Sequence, residues 1–169
     1  MNVTYREGTK DDADAVLAYL ETISGESEYL SFGPGEFDKT LEEERDFLEA
    51  ASTADNQLYV IATIGDRIVG SLFFGTGLRP RLRHTGDFGV SVLKECWGQG
   101  IGCELIGKMI DWARASEFVR KINLRVRADN QRAIDLYARN GFVHEGTITR
   151  DMLIDGKFYD FHCMGLEID

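Results

Sequence analysis

The chain has 169 residues, of which 43% are hydrophobic and only two are proline, and its formal net charge is −10 at pH 7. This composition predicts one folded domain, residues 1–169, and it excludes a disordered chain and, because phosphates would be repelled, a general nucleic-acid binder. No apolar run reaches the roughly 18 residues of a membrane span, and the N-terminal residues lack the pattern of a secretory signal.

Hydrophobic periodicity predicts two helices and three strands in the first half of the chain. In chain order these are a strand at Val3–Arg6, a helix from Asp11 or Asp12 to Ile23, a helix at Thr40–Ala51, and strands at Leu58–Ile64 and Arg67–Phe74. Ser24-Gly25 is expected to end the first helix, and Gly65-Asp66 predicts a tight hairpin turn.

The second half of the chain continues the alternation of strands and helices. Its predicted elements are a strand at Asp87–Leu93, a helix at Gly100–Arg114, a strand at Lys121–Arg127, a helix capped by Asn130 and ending at Arg139, and strands at Phe142–Ile154 and Lys157–Leu166. Asp155-Gly156 predicts the turn of a closing hairpin. The order β-α-α-β-β-β-α-β-α-β-β indicates a single α+β (mixed α/β) domain.

Three alternating glycines, Gly98, Gly100 and Gly102, lie after a strand and open a helix. Glycines let the backbone pass close to a ligand and point N–H groups at it. The start of the helix adds about half a positive charge. Together these features are typical of a phosphate-binding site.

Two familiar phosphate-binding patterns fail on residues that their chemistry requires. A P-loop ends in Gly-Lys-Ser/Thr, whereas Gly102 is followed by Cys103-Glu104. A dinucleotide fingerprint needs a third glycine at position 103 and an acid at the end of a later strand, and Lys121–Arg127 ends in none. A reductase that binds NAD(P), and a glycine corner without a ligand, remain minor alternatives.

Three stretches carry a resemblance to a known family. Gln99–Gly102 matches the last four positions of a diphosphate motif, with Trp97 where the motif has Arg or Gln. Val90–Val92 precedes this motif at the expected spacing, and Asn130–Tyr137 followed by Gly141-Phe142 matches a second motif. The chain therefore resembles the GCN5-related N-acetyltransferase (GNAT) family.

The resemblance implies a fold and a reaction. The fold is a central, mostly antiparallel sheet of about seven strands, flanked by about four helices and splayed at the cofactor site. The reaction moves an acetyl group from acetyl-CoA to a primary amine by direct attack in a ternary complex. Glu145-Gly146 and Asp155–Phe158 are similar to the branch of ribosomal-protein alanine and polyamine acetyltransferases. A homodimer is also typical of such enzymes.

The resemblance also implies roles for individual residues. Tyr137 would protonate the thiolate of CoA, and Asp87 would take the proton of the amine through water. Glu26, Glu28 and Phe32 would line the acceptor pocket. The residues expected to bind acetyl-CoA are Val90, Ser91, Val92, Trp97, Gly98, Gln99, Gly100, Ile101, Gly102 and Asn130. Because Trp97 replaces Arg or Gln, the backbone amides of residues 98–102 are expected to hold the diphosphate.

No metal is expected, since the three cysteines have no CxxC spacing, and their odd number favours a reducing cytoplasm. Structural roles compete with the proposed chemistry: Tyr137 in helix packing, Asn130 as a helix cap, and Asp87 as an aspartate at a strand end. The competing function is a non-catalytic acyl-CoA-binding or regulatory module. The acceptor stays open among protein N-termini, polyamines, amino acids and aminoglycosides.

Overall fold

The computed structural model describes residues 2–169, which form one seven-stranded sheet and four α-helices. The strands are β1 (Thr4–Glu7), β2 (Gln57–Ile64), β3 (Arg67–Thr76), β4 (Thr85–Val92), β5 (Lys121–Arg127), β6 (Val143–Ile154) and β7 (Lys157–Glu167). The helices are α1 (Ala13–Glu26), α2 (Leu41–Thr53), α3 (Ile101–Ala115) and α4 (Gln131–Arg139). The predicted fold class, with its numbers of strands and helices, is confirmed.

The boundaries of α1 differ from the prediction. A 3-10 turn at Lys10–Asp12 precedes the helix, which begins at Ala13. At its other end α1 continues through Gly25 to Glu26. The Glu26 carboxylate accepts a hydrogen bond from the N–H of Lys94 (2.8 Å), which lies just after β4. This contact is tertiary, so a local helix-stop signal does not reveal it.

The strand order is β1-β2-β3-β4-β5-β7-β6, and only the β4–β5 pair is parallel. Side chains along a strand alternate between its two faces. The Ser91 hydroxyl lies 2.8 Å from that of Tyr19 in α1, whereas the Phe74 ring packs on Trp112 of α3. An aromatic ring of α2 packs on the face that α1 covers, and an aromatic ring of α4 packs on the face that α3 covers. Helices α1 and α2 therefore cover one face, and α3 and α4 cover the other.

The centre of the domain is apolar. Leu72 and Phe74 of β3, Leu105 and Met109 of α3, and Ile122 of β5 are completely buried. Burial of each such side chain contributes roughly 1.5–3 kcal/mol, so this layer fixes α3 against the middle strands. No helix within residues 2–169 is long and apolar enough to cross a membrane.

The parallel strands β4 and β5 pair over only three residues, Thr85–Asp87 with Lys121–Asn123. Beyond Asp87, β4 continues as a partner of β3 alone, and β5 continues as a partner of β7. The two strands therefore diverge beyond Asp87. The opening that they leave in the sheet is the split. The predicted splay lies here.

Gly86 lies in the short segment over which β4 is hydrogen-bonded to β5. A Cβ atom at this position would lie 2.5 Å from the carbonyl oxygen of Gly75 and 2.6 Å from the Phe74 ring. No side chain fits there without movement of the backbone. A glycine is therefore needed where the two arms of the split meet.

We predict that Gly86→Ala lowers the free energy of unfolding by about 1–3 kcal/mol, because it overpacks the strand junction. Gly89→Ala on the same strand is the control, since a Cβ there meets no atom within 4 Å, and it should change stability by less than about 0.5 kcal/mol. Urea denaturation of both variants measures the difference. Equal stabilities would show that the close approach at Gly86 has no energetic consequence.

Candidate active site

The edge of β4 that faces the split carries unpaired backbone groups. Two hydrogen bonds bracket the β3–β4 ladder: Gly77 N–H to Thr85 C=O (3.2 Å) and Leu93 N–H to Val69 C=O (2.9 Å). Because pairing alternates along an antiparallel ladder, the N–H groups of even-numbered residues from Phe88 to Val92 point away from β3. The parallel pairing of Asp87 with Asn123 uses the N–H of Phe88, and no residue of β5 pairs with the N–H groups of Val90 and Val92.

The predicted backbone contacts of Val90–Val92 therefore differ from residue to residue. The amides of Val90 and Val92 face the split, as a cofactor-binding edge requires. The peptide groups of Ser91 face β3, where this residue pairs with Ser71, so its N–H is already engaged. Ser91 was expected to offer a backbone contact; instead its side chain bonds to Tyr19 on the other face.

Tyr137 lies on the α3/α4 face of the split. Its ring packs edge-on against Phe88 of β4 (5.8 Å between centroids) and against Phe142 (6.1 Å). The side chain is buried, and burial raises the pKa of Tyr137 to about 12. The hydroxyl therefore stays protonated at neutral pH. The residue both packs and presents a neutral phenol, so its two anticipated roles are compatible.

Asp87 lies on the opposite, α1/α2 face, at the last position where β4 pairs with β5. Its side chain is exposed and makes no hydrogen bond or ion pair with any residue in the range 2–169. Two positions further along the same face, a Cβ at Gly89 would meet nothing within 4 Å. The surface beside Asp87 is therefore open, and its carboxylate is free to bind water.

The glycine loop, residues 97–102, follows a 3-10 turn at Lys94–Cys96 after β4 and includes the first two residues of α3. Gly98 and Gly100 have φ values of +78° and +81°, which favour glycine. Gly100 caps α3, and no side-chain cap hydrogen bond from residues 2–169 is made at the start of that helix. The indole N–H of Trp97 turns back and donates to the Val92 carbonyl (2.8 Å).

Asn130 caps α4: its side-chain oxygen accepts a hydrogen bond from the N–H of Ala133 (3.2 Å). The structural role foreseen for this residue is confirmed. Its predicted contact with acetyl-CoA stays a prediction.

The three residues expected to line the acceptor pocket have different environments. Glu26 is held by the backbone of Lys94, so it connects α1 to the end of β4. The Glu28 carbonyl accepts a hydrogen bond from Arg127 (3.0 Å). The Phe32 ring packs on Phe37 within the same loop (5.2 Å between centroids). Glu26 and Glu28 thus make anchoring contacts, which the sequence prediction did not include.

Arg127, at the end of β5, is a residue that the sequence prediction missed. Its side chain is 4% exposed, and its guanidinium makes two hydrogen bonds of 2.7 Å to Asp129. It stacks between the rings of Tyr29 (4.5 Å) and Tyr159 (3.9 Å). With its bond to Glu28, it connects the α1–α2 loop to β5 and β7. No spacing in the sequence indicates this, because the partners come from three separate segments.

The chemistry available at the split is polar. No group of three or more His, Cys, Asp or Glu side chains that could hold a metal occurs in the described chain. Its three cysteines are free thiols. What the site offers is a strand edge with free amides, a glycine loop at a helix start, a neutral phenol on one face and a carboxylate on the other.

The comparison with protein families gives a direct match: residues 20–142 match the Acetyltransferase (GNAT) family. This segment covers more than half of the chain, so the chain belongs to the GNAT family. The resemblance inferred from the sequence motifs is confirmed. Membership defines the class of protein as a GNAT-family acetyltransferase.

Individual relatives agree with this class. The chain is similar to the L-amino acid N-acetyltransferase AaaT of Escherichia coli K12, with 33% identity over 62% of the chain and 65% of the relative. The structure of a GNAT-family acetyltransferase from Streptococcus pneumoniae matches with a TM-score of 0.96 and 34% identity, covering 99% of this chain and 100% of that one. The yncA protein of Salmonella typhimurium, solved with its cofactor acetyl-CoA, shares the fold at 19% identity, with a TM-score of 0.87 over 100% and 95% of the two chains.

The contacts of Arg127 predict a local effect on the α1–α2 loop. Arg127→Lys keeps the charge but loses the planar stack and two of the three hydrogen bonds. Amides of residues 27–38 should then exchange with solvent roughly fivefold faster, as expected for the loss of about 1 kcal/mol of local stability. Hydrogen exchange with mass spectrometry measures this.

Arg125→Lys is the matched control. Arg125 lies on the same face of β5 and has only an exposed ion pair with Asp151 (3.1 Å), so its replacement should leave the loop unchanged. If both variants exchange like the wild type, Arg127 does not hold the loop.

Proposed function

We propose that this protein transfers the acetyl group of acetyl-CoA to a small primary amine by direct attack in a ternary complex at the split. The observation that carries the proposal is the unpaired edge of β4, which is followed by the glycine loop after one 3-10 turn at Lys94–Cys96. A linear molecule with amides along its length and a diphosphate at one end fits such an edge, and acetyl-CoA has this construction.

The diphosphate would lie against the backbone amides of residues 98–102, where the dipole of α3 favours negative charge. The amides of the pantetheine arm would pair with the free backbone groups of Val90 and with the free N–H of Val92, as an added strand does at a sheet edge. The thioester would then lie within the split, between the two faces. Its carbonyl oxygen would accept a hydrogen bond from a β4 amide.

The reaction needs stabilisation of an oxyanion and a proton for the departing thiolate. An amide fixed in the β4 strand supplies the first, and one such donor is typically worth about 3 kcal/mol in the transition state. Tyr137 donates the proton. Burial raises its pKa, so the hydroxyl still carries its proton when the thiolate departs.

Asp87 is proposed as the base that orients a water molecule toward the attacking amine. It lies on the α1/α2 face, opposite Tyr137. The amine would therefore arrive from one face of the sheet and the thiolate would be protonated on the other. This arrangement keeps the base from taking the proton of the acid.

The acceptor is proposed to be a small amine that enters beside the α1–α2 loop. A chain with net charge −10 attracts cationic molecules, and the similar E. coli protein is named for L-amino acids. The test is release of CoA thiol from acetyl-CoA with a panel of L-amino acids, polyamines, aminoglycosides and peptides with free N-termini. Turnover of at least one amine supports the proposal. Tight acetyl-CoA binding without turnover would favour the non-catalytic binding module.

A cytoplasmic location and a homodimer remain predictions. They do not enter the mechanism, because every residue used in it belongs to one chain.

The role of Tyr137 predicts that Tyr137→Phe lowers kcat by roughly 100-fold, at the low end for general acid catalysis because a thiolate is a good leaving group. The ring packing is kept, so stability and the KM for acetyl-CoA should change little. Tyr5→Phe, on the outer strand β1, is the control and should keep wild-type rates. A kcat near the wild-type value in Tyr137→Phe would exclude the acid role.

The glycine loop predicts a ranking of affinities for acetyl-CoA. Gly100→Val places a β-branched residue at φ +81° and should weaken binding roughly 100-fold by distorting the backbone donors. Trp97→Ala leaves those donors in place and should weaken binding by roughly tenfold or less, the loss of one side-chain contact. Isothermal titration calorimetry compares the two. The reverse order would mean that the side chain at position 97 contributes more than the loop backbone.

A further inference from the structure

One side of α4 lies along the glycine loop. Arg132, Leu136 and Asn140 are spaced one helical turn apart, so they share a face. Arg132 stacks on Trp97, a Cβ at Gly102 would lie 3.3 Å from the Leu136 side chain, and Asn140 lies 3.7 Å from the Cys103 thiol. These three residues form a stripe on α4, and this stripe follows the segment 97–103 from its start into the first turn of α3.

The first residue of this stripe is a cation held by an aromatic ring. The guanidinium carbon of Arg132 lies 4.4 Å from the centre of the Trp97 ring, within the range of a cation–π interaction. The ring itself is fixed, because its N–H donates to the Val92 carbonyl. Arg132 is exposed and forms no ion pair with any residue of the described chain, although the protein carries ten more negative than positive charges.

We propose that Arg132, held on Trp97, is the positively charged side chain that binds the diphosphate of acetyl-CoA. This inference rests on the proposed position of acetyl-CoA at the glycine loop. A guanidinium can stack one flat face on an aromatic ring while its N–H groups, which lie in the plane, bond to phosphate oxygens. The stack therefore orients the donors without using them.

The indole at the first position of the loop is compatible with binding of the diphosphate. Trp97 stands where the family motif has Arg or Gln, and it has no charge to offer a phosphate. The cation instead comes from the start of α4, and Trp97 positions it. The basic segment 79–84 is too far away to supply this cation. It precedes β4, so it lies at the far end of an eight-residue strand, roughly 25 Å from the loop.

The test measures binding of CoA and of dephospho-CoA, which lacks the 3′-phosphate, by isothermal titration calorimetry. Arg132→Gln should weaken both ligands equally, by roughly tenfold, because a charge-assisted hydrogen bond to the shared diphosphate is lost. Arg139→Gln, at the other end of α4, removes the same charge and should stay within about twofold of the wild type. The melting temperature of each unliganded variant checks that the fold is unchanged.

The outcomes separate this inference from the function on which it rests. Unchanged CoA affinity in Arg132→Gln overturns it, and so does a loss that disappears with dephospho-CoA, since the contact would then be to the 3′-phosphate. If Gly100→Val also binds CoA like the wild type, the proposed position of acetyl-CoA itself is wrong.

The positioning role of Trp97 has its own readout. In a Trp97→Leu background, Arg132→Gln should cause a clearly smaller loss than in the wild type, because the guanidinium is no longer held. Trp97→Phe, which keeps a ring, should retain most of the effect of Arg132. Full additivity of Trp97→Leu and Arg132→Gln would show that the two side chains act independently.

Discussion

The parallel strands β4 and β5 are hydrogen-bonded only from Thr85 to Asp87. Beyond this point β4 has a partner on one side only, and the amides of Val90 and Val92 face an opening. An unpaired strand edge inside a sheet is unfavourable unless water or a ligand satisfies its donors and acceptors. The proposed site uses those same groups, so the sheet irregularity and the site are one feature.

Contacts on both faces hold the arms of the split apart. On the α3/α4 face, the rings of Phe88, Tyr137 and Phe142 form a cluster with centroids 5.6–6.1 Å apart. On the α1/α2 face, Arg127 is stacked between two tyrosine rings and holds the loop that follows α1. These contacts are made by the chain itself and fix the positions of the strand and of Tyr137, as electrostatic stabilisation of a transition state requires.

The fold could be predicted from sequence because its signals are local. Gly65-Asp66 and Asp155-Gly156 specify their hairpins, and the glycine loop with Asn130 marks the starts of α3 and α4. The missed features depend on distant partners. The end of α1 depends on Lys94, the sandwich of Arg127 draws on three segments, and the direction of the Ser91 amide depends on the register with β3. Motif spacing indicated that Val90–Val92 belong to the site. Only the hydrogen-bond ladder between β3 and β4 distinguishes the free amides of Val90 and Val92 from that of Ser91, which is bonded to β3.

The most direct test of the account is amide hydrogen exchange of β4, followed by NMR with and without saturating acetyl-CoA. The N–H groups of Val90 and Val92 are predicted to exchange slowly only when the cofactor is bound. Those of Ser91 and Leu93, already bonded to β3, should be protected in both states. If acetyl-CoA binds and the exchange of Val90 and Val92 does not change, the cofactor does not use the open edge of β4, and the proposed mechanism is wrong.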